Sequence, residues 1–252
     1  MQQRADLMDD SGHHLRNAAW SVFNAIRVGA IALWTAAWIS AALLVVWTSG
    51  RRDVALRMAA AGWAPPLLAI AGARVSVEGL ERIDPGRTYL FVSNHQSVID
   101  VPVLFSAIPQ PLRFLLKREM TRVPFIGWYA RACEMLFITR DDRRAGAQMR
   151  RDAAAMLRAG RSLCLFPEGT RTRDGSMAPF KAGSVQAAID AGVPVVPVAL
   201  HGAGAVLPVH GFLRSRPGPV RVSIGVPIDP AGGDRQALAA AAQAAVAAML
   251  AR

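Results

Sequence analysis

The sequence predicts an α/β protein with a largely parallel central sheet flanked by helices, and with an N-terminal membrane-attached helical segment. From residue 74 onward, apolar β-type runs alternate with helix-type stretches, a pattern typical of parallel sheets covered on both faces. Before that point lie two long apolar stretches with few charges. We therefore divide the chain into residues 1–73, an N-terminal tail and membrane-associated helical segment, and residues 74–252, the α/β domain.

The first apolar stretch is long enough to cross a bilayer. From Val28 to Gly50 there are 23 consecutive residues without a charge. As a helix they would measure roughly 34 Å, against a hydrocarbon core of about 30 Å. The second stretch, Met58–Ala73, has 16 residues and contains Pro65-Pro66, which interrupt helical hydrogen bonding. Either the first stretch spans while the second lies along the interface, or the two form a hairpin within one leaflet. A buried core helix is the alternative to membrane attachment.

Arginines that follow the first apolar stretch indicate an orientation. Arg51, Arg52 and Arg57 come directly after it, and the α/β domain behind them is basic. Positive charge is retained on the cytoplasmic side of membranes. We therefore expect the protein at the inner (cytoplasmic) membrane, with the α/β domain facing the cytoplasm.

The predicted elements of the α/β domain alternate along the chain. Strands are predicted at Tyr89–Ser93, Arg113–Leu116, Met135–Thr139, Ser162–Phe166, Val193–Leu200 and Val220–Val226. Helices are predicted near Ser97–Ala107, Asp141–Ala159, Lys181–Ala191 and Asp234–Leu250. Because sites in such sheets lie at the carboxyl ends of strands, we expect functional residues there.

The charge of the chain favours an anionic partner. There are 29 basic and 18 acidic residues, for a net charge of +11. Most of the surplus lies after residue 73, which suits acidic lipid headgroups or a phosphorylated substrate. Nucleic acid is not expected, because zinc-finger, homeodomain and aromatic-interleaved basic patterns are absent. Two of the basic residues, Lys117 and Lys181, are lysines, which can bind a phosphate as point cations.

The pair His95 and Asp100 is a candidate for acid–base chemistry. His95 comes where the strand Tyr89–Ser93 ends, and a helix is predicted to begin near Ser97, which would cap it. Asp100 then lies in the first turn, where its carboxylate can reach back to the imidazole. Such a contact fixes the tautomer of the ring and stabilises its charged form, and a pKa near ~6.5 suits a general base. A structural hydrogen bond between the two residues is the alternative interpretation.

Two other uses of His95 fit the sequence less well. A serine nucleophile would need a Gly-x-Ser-x-Gly elbow, which is absent, and Ser93 and Ser97 are explained by the strand end and the helix cap. A metal would need clustered ligands, but His95, His201 and His210 of the α/β domain have no familiar metal-ligand spacing. We therefore predict no metal site.

A second candidate element is the run Phe166–Arg171, with the sequence FPEGTR. It follows an apolar strand and so should lie on the same rim as His95. Gly169 permits a tight turn and close backbone approach to a ligand, and Arg171 offers a forked donor set for a phosphate. Glu168 can orient a hydroxyl or support an arginine. A strand-to-loop turn with a surface arginine is the alternative.

A third element runs from Lys117 to Arg140. Each of these two cations ends an apolar strand, which directs both at the same rim. Glu119, Pro124 and Gly127 lie between them. Solvent-exposed charge at a strand end is the alternative interpretation for either cation.

Together these motifs resemble the glycerolipid acyltransferase family, especially the 1-acylglycerol-3-phosphate (lysophosphatidate) acyltransferases. The resemblance covers residues 89 to about 200 and keeps the order and separation of four blocks, although Met120 stands where the second block often has Leu. The matching positions are Asn94, His95 and Asp100; Lys117, Glu119, Pro124, Gly127 and Arg140; Phe166–Arg171 with Phe180, Lys181 and Gly183; and Val193–Val198.

The resemblance implies a mechanism. His95 would take the proton from the hydroxyl of the acceptor, and Asp100 would orient His95 and stabilise its charged form. The alkoxide would then attack the thioester of acyl-CoA or acyl carrier protein directly, without a metal or a further cofactor. The residues implied to bind substrate are Asn94, Lys117, Arg140, Glu168, Gly169, Thr170 and Arg171.

The implied partners are a lysophospholipid acceptor, the acyl donor and the membrane. Other acceptors, such as glycerol-3-phosphate, lyso-ornithine lipid or another lysophospholipid, fit the same motifs. A lipid hydrolase that uses water at His95 and a non-catalytic lipid-binding module are rivals from other classes.

Overall fold

A computed structural model describes residues 2–139, 143–171, 176–208 and 215–252, and it describes side chains from Ala19 onward except that of Arg143. Arg140, one of the predicted substrate-binding residues, lies outside the described residues.

The α/β domain is built on a seven-stranded sheet. The strands are β1 (Ala73–Glu78), β2 (Leu90–Ser93), β3 (Arg113–Lys117), β4 (Leu136–Ile138), β5 (Leu163–Leu165), β6 (Val195–His201) and β7 (Gly218–Ile224). Their order across the sheet is β1-β7-β6-β2-β5-β3-β4. Every neighbouring pair is parallel except β6 and β7. The largely parallel sheet is thus confirmed, and β1 is a strand that the sequence analysis missed.

Alternation of side chains along the central strands explains why both faces of the sheet are covered. On β2, Phe91 packs into one apolar cluster while Leu90 and Val92 pack into the other. On β5, Cys164 and Leu163 divide in the same way. A strand whose side chains are apolar at successive positions is stable only between two layers.

The helices and short helical turns fill these layers. The α-helices are α1 (Gln2–Ser49), α2 (Arg52–Met58), α3 (Ala64–Ala71), α4 (Asp100–Ala107), α5 (Ile126–Ala132), α6 (Arg143–Arg158), α7 (Gln186–Ala191), α8 (Ala203–Val206) and α9 (Arg235–Leu250). A π-helical turn, Ala59–Trp63, joins α2 to α3, and 3₁₀ turns cover Leu80–Arg82, Arg118–Arg122 and Ala182–Ser184. Buried residues of α1 to α5 belong to one apolar cluster, and those of α6, α7 and α9 belong to the other.

The N-terminal helices form an antiparallel hairpin. The indole of Trp34 in α1 donates to the Trp63 carbonyl at 3.1 Å, and the indole of Trp63 donates to Thr35 Oγ1 at 3.1 Å. Further along, Arg27 Nε donates to the Ile70 carbonyl at 2.7 Å. By length and composition alone, both Ala19–Ser49 and Arg52–Ala71 would be able to cross a membrane.

Both ends of this hairpin are bonded to the α/β domain. At its open end, Asn24 Nδ2 donates to the Ser215 carbonyl at 3.2 Å. At its closed end, Arg52 Nε donates to the Ala132 carbonyl at 3.2 Å and lies 3.3 Å from a Glu134 oxygen. The hairpin is therefore fixed to the domain at Asn24 and at Arg52.

The start of α4 differs from the predicted start. The helix begins at Asp100, and no side chain caps it. The Ser97 hydroxyl, predicted to be the cap, donates to the Leu207 carbonyl at 2.7 Å. The same hydroxyl accepts the Ile99 amide only at 3.4 Å, while the Asp100 carboxylate folds back onto the Gln96 and Ser97 amides ahead of the helix.

Candidate active site

The candidate site lies where β2 and β5 end. These strands are parallel neighbours, with Leu90 aligned to Leu163 and Val92 to Leu165. Their carboxyl ends therefore meet at one rim, and the loops that follow them lie side by side. This is the shared rim that the alternation of strands and helices predicted.

The predicted contact between His95 and Asp100 is present. The imidazole Nδ1 lies 2.7 Å from Asp100 Oδ2, and the same oxygen accepts hydrogen bonds from the Gln96 and Ser97 amides at 2.7 and 2.8 Å. The Asp100 side chain is 0% exposed, whereas that of His95 is 19% exposed. A carboxylate against Nδ1 favours the tautomer with its proton there, which leaves Nε2 as the free base.

Burial of Asp100 makes the pair electrostatically strong. Among the described residues its Oδ1 atom has no hydrogen-bond partner, although it is buried. The carboxylate charge is therefore stabilised mainly through Oδ2, and a proton on His95 would convert the contact into an ion pair.

Phe166 stacks on the imidazole, a contact that the sequence analysis did not predict. The two ring centroids are 3.9 Å apart, and the planes are inclined by 14°. The stack covers one face of His95 and restricts its rotation. The sequence could have indicated this contact, because Phe166 follows β5 and His95 follows β2, and the two strands are parallel neighbours.

Glu168 holds two backbone segments together. Its Oε1 accepts the His95 amide at 2.7 Å, and its Oε2 accepts the Ala178 amide at 2.8 Å. The residue is 4% exposed. Burial raises the pKa of Glu168, while the two backbone hydrogen bonds and nearby His95 oppose that rise. Each carboxylate oxygen accepts one backbone hydrogen bond, and the substrate contact expected of this side chain stays a prediction.

Asn94 is also engaged by the backbone. Its Nδ2 donates to the Leu200 carbonyl at 2.9 Å, and its Oδ1 accepts the Leu200 amide at 2.8 Å. Because β2 pairs with β6 up to Ser93, this side chain extends the pairing by one step beyond the strand. Asn94 therefore holds the end of β6 against the histidine loop, and the substrate-binding role expected of it stays a prediction.

Lysine and arginine residues lie at or after the ends of the strands at this rim. Lys117 is exposed at the end of β3, and Arg171 is half-buried after the exposed Thr170. Gly169 has a φ of +72°, and a side chain there would meet Lys181 Nζ at 2.7 Å. Lys181, one of the two lysines singled out as possible phosphate-binding cations, thus lies over the glycine turn, beside the expected site residues.

An apolar cavity adjoins the histidine loop. Its volume is about 410 Å³, and it lies between the N-terminal hairpin, α4, α5 and β3. Val98 and Ile99, from the loop that carries His95 and Asp100, line it. The site therefore combines a His–Asp pair, a cationic rim and an apolar chamber.

A largely parallel sheet with a His–Asp pair at its rim defines an α/β protein with a candidate acid–base site. The model of the family described as Acyltransferase matches residues 74–201, which is half of the chain. The chain therefore belongs to the acyltransferase family.

Individual relatives agree with this assignment. The chain is 36% identical over 158 residues to a chloroplastic 1-acyl-sn-glycerol-3-phosphate acyltransferase of Brassica napus, an alignment that covers 62% of this chain and 45% of the relative. It is 36% identical over 171 residues to a 1-acyl-sn-glycerol-3-phosphate acyltransferase of Pseudomonas aeruginosa, with 68% and 65% covered. The chain thus spans about half the length of the first curated relatives it matches.

A solved structure matches nearly the whole fold. The crystal structure of the 1-acyl-sn-glycerophosphate acyltransferase from Thermotoga maritima superimposes with a TM-score of 0.77 at 27% identity, covering 95% of this chain and 98% of that one. The likeness includes the N-terminal helices, because so little of either chain is left out.

Proposed function

We propose that the protein is a membrane-bound O-acyltransferase. It moves a fatty acyl group from acyl-CoA or acyl carrier protein to the free sn-2 hydroxyl of 1-acylglycerol-3-phosphate, which gives phosphatidate. The observation that carries the proposal is the 2.7 Å contact between His95 Nδ1 and the buried carboxylate of Asp100. The reaction named for the relatives from Brassica napus and Pseudomonas aeruginosa supports the choice of acceptor.

The geometry of the pair gives the proposed sequence of steps. Nε2 of His95 takes the hydroxyl proton while the acceptor oxygen attacks the thioester carbon. The resulting tetrahedral intermediate collapses with cleavage of the carbon–sulfur bond, and the imidazolium returns its proton to the leaving thiolate. Asp100 lowers the energy of the imidazolium during both steps, because its charge is held at Nδ1 by two backbone amides. No metal or cofactor is needed in this scheme.

The cationic rim is the proposed site for the acceptor phosphate. Lys117 and Arg171 supply a point charge and a forked donor set, and Thr170 adds a hydroxyl. Gly169 lets a ligand approach the backbone closely, and its amide donates to the Phe166 carbonyl at 3.0 Å. Arg140 stays in this proposal from the sequence alone.

Asn94 and Glu168 are proposed as positioning residues. Both are buried, and their polar atoms bind backbone groups from distant parts of the chain. Together they fix the loop of His95 against β6 and against the segment around Ala178. They would act on substrate through His95 and not by direct contact.

The apolar cavity is the proposed chamber for an acyl chain. Its lining is almost entirely hydrocarbon, including Trp38, Trp63 and Phe105, and it reaches Val98 beside the His–Asp pair. A volume of about 410 Å³ suits one extended lipid chain. A cavity of this composition would not bind a small polar substrate, because its lining offers few hydrogen-bonding groups.

We propose that the hairpin of α1 to α3 enters one leaflet of the membrane and does not span it. Its two ends bond to the α/β domain at Ser215 and at Ala132, and Asp53 near the closed end lies 2.9 Å from Arg113. A spanning orientation would draw these polar groups of the domain into the hydrocarbon, which is strongly unfavourable. The proposed location is the inner membrane, with the α/β domain on the cytoplasmic side.

An acceptor panel tests the proposal. Purified protein in mixed micelles is given labelled acyl-CoA or acyl carrier protein, together with 1-acylglycerol-3-phosphate, glycerol-3-phosphate, lyso-ornithine lipid or other lysophospholipids. We expect transfer to 1-acylglycerol-3-phosphate, and loss of that transfer in His95→Ala and Asp100→Asn with the fold intact by circular dichroism. Asp152→Asn, an exposed change on α6, is the matched control.

Three outcomes would contradict the proposal. Release of free fatty acid without any acceptor would identify a hydrolase. Transfer to another acceptor alone would contradict the proposed substrate but would leave the proposed acyl-transfer chemistry in place. Full activity of His95→Ala would remove the His–Asp pair from the mechanism.

A further inference from the structure

A surface next to the N-terminal hairpin combines exposed apolar and basic side chains. It is formed by the segment from the end of β3 to the end of α5, residues 117–131, and we name it the α5 patch. Its exposed apolar members are Val123, Ile126 and Trp128, of which Trp128 is 47% exposed. Its exposed basic members are Lys117, Arg118, Arg122 and Arg131.

The charge of the α5 patch is strongly one-sided. The segment contains four basic residues and one acidic residue, Glu119, which gives it a net charge of +3. Exposed basic residues interspersed with a tryptophan and aliphatic side chains are typical of a surface that rests on anionic lipid headgroups. Exposure of both Ile126 and Trp128 to water on one short helix is unfavourable and indicates a binding surface.

The backbone of this segment is held in a strained turn. The Ile126 amide donates to the Pro124 carbonyl at 2.7 Å, and Phe125 has φ of 60° and ψ of −61°. This is a γ-turn of the rare positive-φ type. Phe125 packs against the core cluster, and its ring centroid lies 5.1 Å from that of Trp128. The turn therefore packs the Phe125 ring against the core and leaves the Trp128 ring exposed.

The α5 patch is continuous with the hairpin. Helix α5 packs against α1, and the Tyr129 hydroxyl donates to the Ala55 carbonyl at 3.2 Å. On α1, Leu44 and Trp47 are also exposed. Exposed apolar side chains thus lie both on α5 and on α1, the helix against which α5 packs.

The patch also borders the mouth of the apolar cavity. Val28 of α1, Val98 of the histidine loop and Ile126 of α5 line that cavity, and yet all three are exposed. Residues that line a chamber and face solvent mark its opening. The opening therefore lies between the hairpin, the His–Asp pair and the α5 patch.

We infer that the α5 patch is a second membrane-binding surface, which rests on anionic lipid and places the cavity mouth at the bilayer interface. It rests on the proposed membrane attachment of the hairpin but adds a separate surface from the α/β domain. With Trp128 and Ile126 in the interface, a lipid chain passes from the leaflet into the cavity without crossing water.

A site-directed environmental probe tests this inference. Trp128→Cys is labelled with a nitrobenzoxadiazole dye, and the full-length protein is reconstituted in phosphatidylglycerol or phosphatidylcholine vesicles. Cys133 and Cys164 are buried, so the introduced thiol takes the label, and the labelled wild type gives the background. Ala240→Cys, exposed on α9 of the opposite layer, is the matched control, and Val123→Cys is a second probe if Trp128→Cys unfolds.

We expect the dye at position 128 to emit at shorter wavelength on phosphatidylglycerol vesicles, with several-fold less quenching by aqueous iodide than the dye at position 240. Arg118→Gln with Arg122→Gln should weaken this effect, as should phosphatidylcholine. If the protein floats with vesicles while both dyes are quenched equally, the patch proposal is overturned and the hairpin attachment stands. If the protein does not float with vesicles, both are overturned. Neither readout needs acyl transfer, so failure of the proposed activity would be seen separately.

Discussion

Removal of one acceptor oxygen from Glu168 should slow catalysis without weakening substrate binding. In Glu168→Gln, an NH₂ group replaces one oxygen and faces a backbone N–H, so the bond to His95 or the bond to Ala178 is lost. A buried donor left unsatisfied costs about 1–3 kcal/mol. We therefore expect the free energy of unfolding to fall by about that amount, with a melting temperature lower by a few degrees.

The effect on rate follows from the same energy. If the lost bond displaces His95, up to the same 1–3 kcal/mol is missing in the transition state, which corresponds to roughly 5- to 150-fold in kcat. The assay is steady-state acyl transfer with varied acceptor, beside thermal unfolding of the same samples. Glu81→Gln is the matched control, because that glutamate is exposed on a 3₁₀ turn away from the rim. A raised KM for the acceptor with unchanged kcat would show that Glu168 contacts substrate, and would refute the positioning role.

The pH dependence of stability gives an independent check on Glu168. Burial raises its pKa above the ordinary value of 4.5, so the folded protein holds the proton more tightly than the unfolded chain. The stability from this linkage is fully present below pH 4.5 and is lost as the pH rises through the folded pKa. The advantage of wild type over Glu168→Gln in unfolding free energy should therefore shrink from acid pH toward neutrality. An advantage that grows over that range would contradict the raised pKa.

Two further predictions concern the hairpin and the thiols. Gly62→Ala should destabilise the protein, because the added methyl group would overlap the ring of Trp38. Gly29→Ala should be neutral or stabilising by up to about 1 kcal/mol, because nothing lies within 4 Å of the new atom. Equal melting temperatures for the two variants would contradict the close approach of the two helices at Gly62. Burial raises the pKa of Cys133 to about 11 and also raises that of Cys164, so both thiols should react slowly with a disulfide reagent at mildly alkaline pH and rapidly after denaturation. Rapid reaction of the native protein would show that these sites open.

The parts of the fold that depend on local sequence patterns were predictable. Apolar runs bounded by turns gave the six central and C-terminal strands, and their bounds shifted by only a few residues in the structure. The strand β1 was missed because its apolar pattern is weak. Only Val75 and Val77 alternate with polar residues, and β1 is a half-buried strand at the edge of the sheet. The antiparallel direction of β7 against β6 was not predictable, because periodicity reports which side chains are buried and not which way a strand runs.

The site was predictable where it depends on strand ends. His95 and the run Phe166–Arg171 both follow apolar strands, and a parallel sheet brings such ends to one rim. The contact of His95 with Asp100 was predictable for a different reason, since five residues across a turn leave few alternatives. The roles of the remaining residues, including Lys117 and Arg171, stay predictions.

The sequence by itself determined the apolar N-terminus, the α/β alternation and the residues that meet at the rim. Tertiary structure alone decided which distant backbone groups those residues touch. The Glu168 carboxylate reaches the His95 amide across 73 positions, and Asn94 reaches Leu200 across 106, because β2 lies between β5 and β6 in the sheet. The apolar cavity exists because a helical hairpin packs over α4 and α5. Pairing order and packing are global properties of the folded chain, and no local pattern of residues contains them.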